Sequence, residues 1–228
     1  MSKYSRLKVL NIMIETGMVP VFYNPDTQVA MSAVDACSAG GGHCFEFTNR
    51  GDLAHEVFKE LVIHFKSDDR VILGAGSIID PATAALYIQL GANFIVGPVL
   101  NPEVARVCNR RKVVYIPGCG SASEISNAEE LGVEICKIFP GEAIGGPGFV
   151  RDVLGPMPWA RLMPTGGVDT TEESIATWFK AGVTCVGMGS KLFTKESIST
   201  GNFEQITEKV KQVLEWILKV RAGKSPIS

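Results

Sequence analysis

Residues 94–116 read FIVGPVLNPEVARVCNRRKVVYI, and this stretch decides the fold. It begins and ends with apolar runs, 94–96 and 113–116, which are typical of parallel strands buried on both faces. Between these runs, Asn101 supplies a helix N-cap and Pro102 follows at the first helical position. The stretch therefore predicts a strand, a helix and a second strand, which together form one repeating unit of a parallel α/β fold.

The same unit recurs along the whole chain of 228 residues. Most predicted strands are continuously apolar, polar N-cap residues precede the predicted helices, and glycines follow several of them. The predicted strands are 19–23, 43–48, 71–74, 94–96, 113–116, 134–139, 161–164 and 184–187. The predicted N-caps are Asp26, Asp52, Asp80, Asn101, Ser121 or Ser123, and Asp169 or Thr170, and the predicted C-terminal glycines are Gly91, Gly132 and Gly182.

Eight strand–helix units without an intervening linker predict an α/β fold, a single (β/α)8 TIM barrel that forms one domain over residues 1–228. A helix over about residues 3–15 is expected to cap the N-terminal end of the barrel. The alternative is a doubly wound open sheet, which would place a glycine-rich phosphate-binding turn after the first strand. Residues 23–26 at that position read YNPD, so the barrel is favoured.

Composition excludes several classes of protein. The formal net charge of −2 argues against a polybasic surface, and therefore against nucleic acid as a partner. The six cysteines form no Cys-x-x-Cys motif, and the first residues do not resemble a signal peptide. Polar residues and proline interrupt the longest apolar region, 84–100, so no membrane span is predicted. We expect a protein of the reducing cytoplasm.

Glu46 lies in the second predicted strand between two phenylalanines, where an unpaired carboxylate would be costly. Strand alternation places Glu46 on the same face as Cys44 and Thr48. One interpretation is a structural ion pair with Arg50, which follows just past the strand. The other is a catalytic carboxylate.

Lys137 is embedded in the apolar strand 134–139. Burial favours the neutral form of an amine, which can attack a carbonyl carbon. The strands that carry Glu46 and Lys137 face each other across an eight-stranded ring, whose interior is just wide enough for side chains to meet. The pair therefore predicts Schiff-base chemistry, with the carboxylate as general acid and base. The structural alternative is a lysine whose ammonium group reaches water at the strand end.

Two glycine-rich turns follow the seventh and eighth predicted strands and contain Gly166, Gly167, Gly189 and Ser190. Loops at these positions bind phosphate in this fold, because glycine lets backbone N–H groups approach the anion. The alternative is that they are tight turns without a ligand. A third turn, after the third strand, ends with the hydrogen-bond donor Ser77. The three histidines have no metal-ligand spacing, so no metal is predicted.

Five motifs, in this order and spacing, resemble the bacterial 2-keto-3-deoxy-6-phosphogluconate (KDPG) and 4-hydroxy-2-oxoglutarate (KHG) aldolases. They are EFTNR at 46–50, GAGS at 74–77, IPG at 116–118, KIFP at 137–140 and PTGG at 164–167. The resemblance covers essentially the whole chain. It implies a class I aldolase that needs no cofactor, takes a small-molecule 2-keto acid as its substrate and assembles as a homotrimer.

The resemblance also implies a reaction and roles for the site residues. The reaction is cleavage of a 2-keto-3-deoxy sugar acid phosphate, above all KDPG, to pyruvate and glyceraldehyde 3-phosphate. Lys137 would form the Schiff base, and Glu46 would move protons through a water molecule. The carboxylate of the pyruvyl group would be held by Arg50, Ser77 and Thr165. The distal phosphate would be bound by Gly166, Gly167, Gly189 and Ser190.

The chain departs from the usual family pattern beside the catalytic strand. An apolar residue is usual where Asn49 stands, and threonine is usual near Gly51 and at Ser77. Cys119-Gly120 and Gly141 also differ from the common pattern. These differences leave the chemistry intact but bear on the sugar configuration and on the phosphate of the substrate.

Three alternatives remain open from the sequence. One is an aldolase of the KHG or 6-phosphogalactonate type. Another is a phosphosugar epimerase or isomerase on the same barrel, which would use the strand carboxylate as a base without a covalent lysine. The third is a non-catalytic phosphate-binding barrel.

Overall fold

The computed structural model describes residues 2–223, which form alternating strands and helices. All eight predicted strands are present, and a ninth, very short strand follows the fifth. The strands are β1 (Met18–Phe22), β2 (Cys44–Thr48), β3 (Ile72–Gly76), β4 (Phe94–Val96), β5 (Val114–Ile116), β6 (Gly118–Cys119), β7 (Cys136–Ile138), β8 (Leu162–Pro164) and β9 (Val186–Met188). The predicted bounds differ from the observed ones by at most two residues at either end, because residue type alone does not mark where the hydrogen-bonded ladder begins and ends.

All of the strand pairs are parallel. The strands form a six-stranded sheet in the order β5-β4-β3-β2-β1-β9 and a three-stranded sheet in the order β6-β7-β8. Pro117 separates β5 from β6, because proline has no N–H group with which to continue the ladder. Beyond β8, an isolated parallel bridge joins Thr165 to Gly187 of β9. The observed architecture is thus an α/β fold with parallel sheets.

Ten α-helices lie within residues 2–223. None of them combines the length with the apolar character that a membrane-crossing helix needs. The helices are α1 (Arg6–Thr16), α2 (Thr27–Ala39), α3 (Ala54–His64), α4 (Pro81–Leu90), α5 (Pro102–Arg111), α6 (Ala122–Glu130), α7 (Gly146–Leu154), α8 (Glu172–Ala181), α9 (Lys195–Ser199) and α10 (Phe203–Ala222). A single 3-10 turn, Phe65–Ser67, follows α3.

Hydrogen bonds from first-turn N–H groups confirm four predicted N-caps: Asp26, Asp80, Asn101 and Ser121. Two predicted C-terminal glycines are confirmed as left-handed C-caps, Gly91 and Gly182, whereas Gly132 has a positive φ angle but lies one residue past the C-cap Leu131.

Two predicted N-caps are wrong. Leu53, and not Asp52, precedes α3, and its left-handed backbone (φ 59°) separates Asp52 from the first helical turn. The N-cap of α8 is Thr171, and not Asp169 or Thr170. Where several polar residues stand in succession, each has a side-chain oxygen that could cap the helix. The backbone conformation decides which one becomes the N-cap. The first helix begins at Arg6 rather than at residue 3, with Ser5 as its cap.

Two apolar clusters cover the two faces of the strands. The larger one lies between strands and helices and includes Phe45 and Phe47 of β2. The smaller one includes Cys44 of β2, which confirms the predicted alternation. The smaller cluster unites α1 with strand residues from both sheets: Val9, Leu10 and Met13 of α1 with Val19, Ile72, Phe94, Val114 and Met163. Because α1 packs on the face that Cys44 and Glu46 share, it lies on the same side of the strands as the candidate catalytic residues.

Candidate active site

Glu46 is the central residue of β2, and its side chain is completely buried. Its strand neighbour in β3 is Gly74, and Gly76 follows two residues later. A Cβ atom at residue 76 would lie 2.0 Å from Oε1 of Glu46, so the glycine is needed for space. Within residues 2–223, neither carboxylate oxygen of Glu46 has a hydrogen-bond partner. A buried carboxylate without such partners is typical of a functional site rather than a structural one.

Lys137 is the central residue of β7, and only 4% of its surface is exposed. Its Nζ atom lies 3.6 Å from Oε1 of Glu46 and 5.1 Å from the centre of the Phe139 ring. The distance to Glu46 is too long for a good hydrogen bond, but the two groups form an ion pair in which both side chains are buried. The structure therefore brings the two predicted catalytic side chains together from different sheets.

Both structural alternatives for these residues are wrong. Glu46 is paired with Lys137 and not with Arg50, whose side chain lies in an exposed position past the end of β2. The ammonium group of Lys137 does not reach bulk water, because its side chain is 5% exposed. The cause is topological, since strands distant in sequence direct both side chains to the same interior face.

Arg50 and Ser77 approach each other from the ends of neighbouring strands. The Nε atom of Arg50 donates to Oγ of Ser77 at 3.3 Å. Ser77 has a left-handed backbone (φ 60°), which is uncommon for a residue with a side chain. Backbone strain of this kind is concentrated at binding sites. The pair presents a guanidinium group and a hydroxyl group that could hold a carboxylate.

Thr165 and the two glycine-rich turns follow the C-terminal ends of β8 and β9. The hydroxyl of Thr165 is buried and has no hydrogen-bond partner in residues 2–223. A Cβ atom at Gly187 would lie 2.2 Å from that hydroxyl, so β9 also has a glycine for reasons of space. Gly166 and Gly167 both have positive φ angles, +88° and +81°, which allow the tight turn after β8.

One cavity of about 430 Å³ joins these elements. Six of the nine predicted site residues line it: Arg50, Thr165, Gly166, Gly167, Gly189 and Ser190. Phe139, which also lines the cavity, connects it to Lys137. Ser77 joins through its bond with Arg50, and Glu46 through its pair with Lys137. The structure therefore places all nine predicted residues in this cavity or close to it.

Sequence reasoning did not assign three polar residues of this cavity to the site: Tyr23, Thr48 and Lys191. Tyr23 follows β1 directly, and an aromatic residue at a strand end is expected in a core. Lys191 follows Ser190 and forms an ion pair with Asp169, with 3.1 Å between Nζ and Oδ1. Tyr23 and Lys191 each follow the end of a strand. This position was the one signal in the sequence that they could belong to the site.

No group of three or more histidine, cysteine or acidic side chains within residues 2–223 is arranged to hold a metal ion. The side chain that could bind a substrate covalently is Lys137, and the charged groups that could bind its anionic parts are Arg50 and Lys191. The arrangement can attack a carbonyl carbon, move protons and hold negative charge.

These features define an α/β enzyme with a buried amine and a carboxylate beside a cavity for an anionic ligand. The family model described as KDPG and KHG aldolase matches residues 9–209. The chain therefore belongs to the KDPG and KHG aldolase family.

Similar proteins agree with this family. The chain is 33% identical over 204 residues to the 2-dehydro-3-deoxy-phosphogluconate aldolase of Pseudomonas aeruginosa, covering 88% of this chain and 89% of that protein. It is 28% identical over 203 residues to the KHG/KDPG aldolase of Escherichia coli K12, covering 89% and 93%. A solved structure of the KDPG aldolase of Legionella pneumophila contains pyruvate as a covalent carbinolamine intermediate. It has a TM-score of 0.81 and 28% identity and covers 89% of this chain and 96% of its own.

Proposed function

We propose that the protein cleaves KDPG to pyruvate and glyceraldehyde 3-phosphate through a Schiff base on Lys137. The observation that carries this proposal is the buried pair of Lys137 Nζ and Glu46 Oε1, 3.6 Å apart. An amine that must become nucleophilic needs a nearby group that accepts its proton, and Glu46 lies within reach. The relatives named for this reaction support the choice of substrate.

Covalent catalysis would begin when the neutral amine of Lys137 attacks the C2 carbonyl of the substrate. Loss of water from the carbinolamine leaves a protonated imine. Removal of the C4 hydroxyl proton then breaks the C3–C4 bond, whose electron pair moves into the imine to give the enamine of pyruvate. Glyceraldehyde 3-phosphate leaves at this step. Protonation of the enamine at C3 gives the imine of pyruvate, and water hydrolyses it to release pyruvate and restore the free lysine.

Glu46 would be the general acid and base of this sequence. It takes the proton of the C4 hydroxyl through a water molecule and returns a proton to C3 of the enamine. The two unpartnered carboxylate oxygens support this role, because nothing else in residues 2–223 competes for their lone pairs. Gly76 leaves space for the carboxylate on one side.

Substrate binding would be shared between two groups of residues in or beside the cavity. Arg50, Ser77 and Thr165 would hold the carboxylate, as the Arg50–Ser77 contact and the free Thr165 hydroxyl support. Gly166, Gly167, Gly189 and Ser190 would bind the phosphate through backbone N–H groups and the serine hydroxyl. Lys191, the cation beside these turns, favours a substrate that is negatively charged at this end.

The other candidates have less support. The E. coli relative is named for both KHG and KDPG, so KHG is the second candidate substrate. A phosphosugar epimerase has no need of an amine next to its base, and a non-catalytic phosphate-binding protein needs neither member of the buried pair.

A cleavage assay tests the proposal by following pyruvate released from KDPG, from its galactonate epimer and from KHG. We expect the highest kcat/KM with KDPG and no detectable turnover in Lys137→Ala. The control Lys180→Ala, which removes an exposed lysine of α8, should match the parent protein. If none of the three 2-keto acids yields pyruvate, the proposed function is wrong.

We further propose that the two sheets form one closed (β/α)8 barrel with α1 as its N-terminal cap, within a single domain of residues 1–228. The Thr165–Gly187 bridge and the single residue Pro117 between β5 and β6 support closure at both junctions. The mixed cluster of α1 and strand residues supports the cap. Residues 1 and 224–228 lie outside the described part of the chain. A single cooperative calorimetric transition would agree with one domain.

The homotrimer and the cytoplasmic location also remain proposals. Apolar side chains exposed on adjacent loops, Ile79 and Val99, support an interface between subunits. These loops are joined by a bond from Nδ2 of Asn101 to the carbonyl of Ile79. Sedimentation equilibrium at several concentrations tests the trimer. The six free cysteines agree with a reducing compartment.

A further inference from the structure

The proposed mechanism leaves two neighbouring residues unused, Tyr23 and Gly51. Tyr23 lines the cavity, and Gly51 follows Arg50 beyond β2. A Cβ atom at residue 51 would lie 1.9 Å from the hydroxyl oxygen of Tyr23 and 2.6 Å from Cζ. The φ angle of Gly51 is not positive, so space rather than backbone conformation demands glycine here. The tyrosine hydroxyl occupies the volume that a side chain at residue 51 would fill.

The ring of Tyr23 is held from its buried side. Its centre lies 5.5 Å from the centre of the Phe47 ring, and Phe47 is itself fully buried against Phe58. The hydroxyl of Tyr23 makes no hydrogen bond to a protein group in residues 2–223. A hydroxyl that is fixed in position and has no protein partner can bond to a ligand at little entropic cost.

Asn49, the other unusual residue beside the catalytic strand, has a different role. Its Oδ1 accepts a hydrogen bond from the buried Tyr87 hydroxyl at 3.0 Å, and its backbone N–H donates to the carbonyl of Gly76. Asn49 does not line the cavity. It therefore anchors the end of β2, whereas Gly51 influences the cavity through Tyr23.

The chemistry of the cavity lining indicates which part of a substrate Tyr23 can contact. A 2-keto sugar acid phosphate has its carboxylate at one end and its phosphate at the other, and its hydroxyl-bearing carbons lie between them. Arg50 and the turn at Gly166 line the cavity and could bind the two charged ends of the substrate. Among the four aromatic side chains that line the cavity, Phe22, Tyr23, Phe139 and Phe193, Tyr23 has a polar group.

We propose that Tyr23 is a specificity-determining residue, whose hydroxyl hydrogen-bonds to a hydroxyl on the aldehyde half of the substrate, and that Gly51 leaves the space for it. This inference rests on the proposed aldolase function. A site that bonds a substrate hydroxyl discriminates against the analogue that lacks it, because a buried polar group then loses its partner.

The test compares two acceptors in the aldol addition of pyruvate: glyceraldehyde 3-phosphate and its 2-deoxy analogue, 3-oxopropyl phosphate. In the Tyr23→Phe protein we expect kcat/KM to fall about 10-fold for the hydroxylated aldehyde and to stay unchanged for the deoxy compound, because one hydrogen bond is lost. Tyr87→Phe is the matched control, since it removes a hydroxyl that does not face the cavity, and it should preserve the ratio between the two acceptors.

Gly51→Ala gives a second, independent test. Its Cβ must displace the Tyr23 ring, so it should reproduce the loss of selectivity, and adding Tyr23→Phe should cause no further loss. An unchanged ratio in Tyr23→Phe, or an equal loss with both acceptors, would overturn the inference. A loss of borohydride trapping of pyruvate in Tyr23→Phe would also overturn it, because it would place Tyr23 beside the pyruvyl carboxylate. Failure of the parent protein to trap pyruvate would instead count against the aldolase itself.

Discussion

The backbone of Gly76 passes so close to Glu46 that a Cβ atom at residue 76 would lie 2.0 Å from the carboxylate oxygen Oε1 and 2.6 Å from Cδ. Gly76 lies in β3, which is paired along its length with the strand that carries Glu46. The position of the proposed general base is therefore set by a neighbouring strand as well as by its own.

Gly76→Ala should move this carboxylate without removing it. We expect kcat for KDPG cleavage to fall about 100-fold, because small displacements of a catalytic group have costs of this order. Imine formation with pyruvate should persist, since Lys137 is untouched. Gly148→Ala is the control, because the nearest atom to its Cβ would be 3.8 Å away. Normal turnover in Gly76→Ala would contradict the role of Glu46.

Lys191 should act on the phosphate of the substrate. Lys191→Met should raise KM for KDPG about 10-fold and leave KM for the unphosphorylated KHG unchanged, since one charge contact is lost. The effect of added salt on KM for KDPG should also become weaker. Lys195→Met, at an exposed position on α9, is the matched control. Equal changes with both substrates would show that Lys191 does not bind the phosphate.

Removing one member of the buried pair of Glu46 and Lys137 should destabilise the folded protein. Glu46→Gln and Lys137→Met each leave one buried charge without its partner, and we expect each to lower the free energy of unfolding by about 3 kcal/mol. The double variant should be more stable than either single variant. Urea titrations measure all four proteins, and strictly additive losses would mean that the pair is not coupled.

The buried thiols should make the protein sensitive to alkaline pH. Burial raises the pKa of Cys108 and of Cys185 to about 12, from an ordinary value of 9.0. The folded state keeps these protons at pH values where the unfolded state loses them, so stability should fall as the pH rises from about 9 to about 12. Thermal unfolding across this range checks the decline, which replacement of both cysteines by alanine should reduce. Iodoacetamide should modify neither thiol below pH 8 unless urea is added.

Charged residues inside apolar strands made the catalytic pair predictable. Glu46 and Lys137 each interrupt a run that is otherwise apolar, and the order of the strands predicted that they would meet. The glycines at residues 166 and 167 were predictable for a similar reason, since a tight turn after a strand needs them. In these cases one residue conflicts with its local pattern, and the site explains the conflict.

The remaining features depend on three-dimensional contacts that leave no such conflict. Tyr23 fits the pattern of a core aromatic, and Lys191 that of a solvated lysine, so neither stands out in the sequence. The break between β5 and β6 occurs at Pro117, which has no N–H group to donate to a neighbouring strand. Whether that missing donor interrupts a strand depends on which residues pair in the folded protein. The helix start at Leu53 depends on a left-handed backbone that an ordinary leucine does not indicate.

The central claim is that Lys137 forms a Schiff base with a 2-keto acid. Incubation with pyruvate and sodium borohydride, followed by peptide mapping, tests it most directly. The account predicts a reduced pyruvyl adduct on Lys137, which Lys137→Ala loses and which Glu46→Gln keeps although its turnover is slow. An unmodified Lys137 in a protein that still cleaves KDPG, or an adduct on a different lysine, would contradict it.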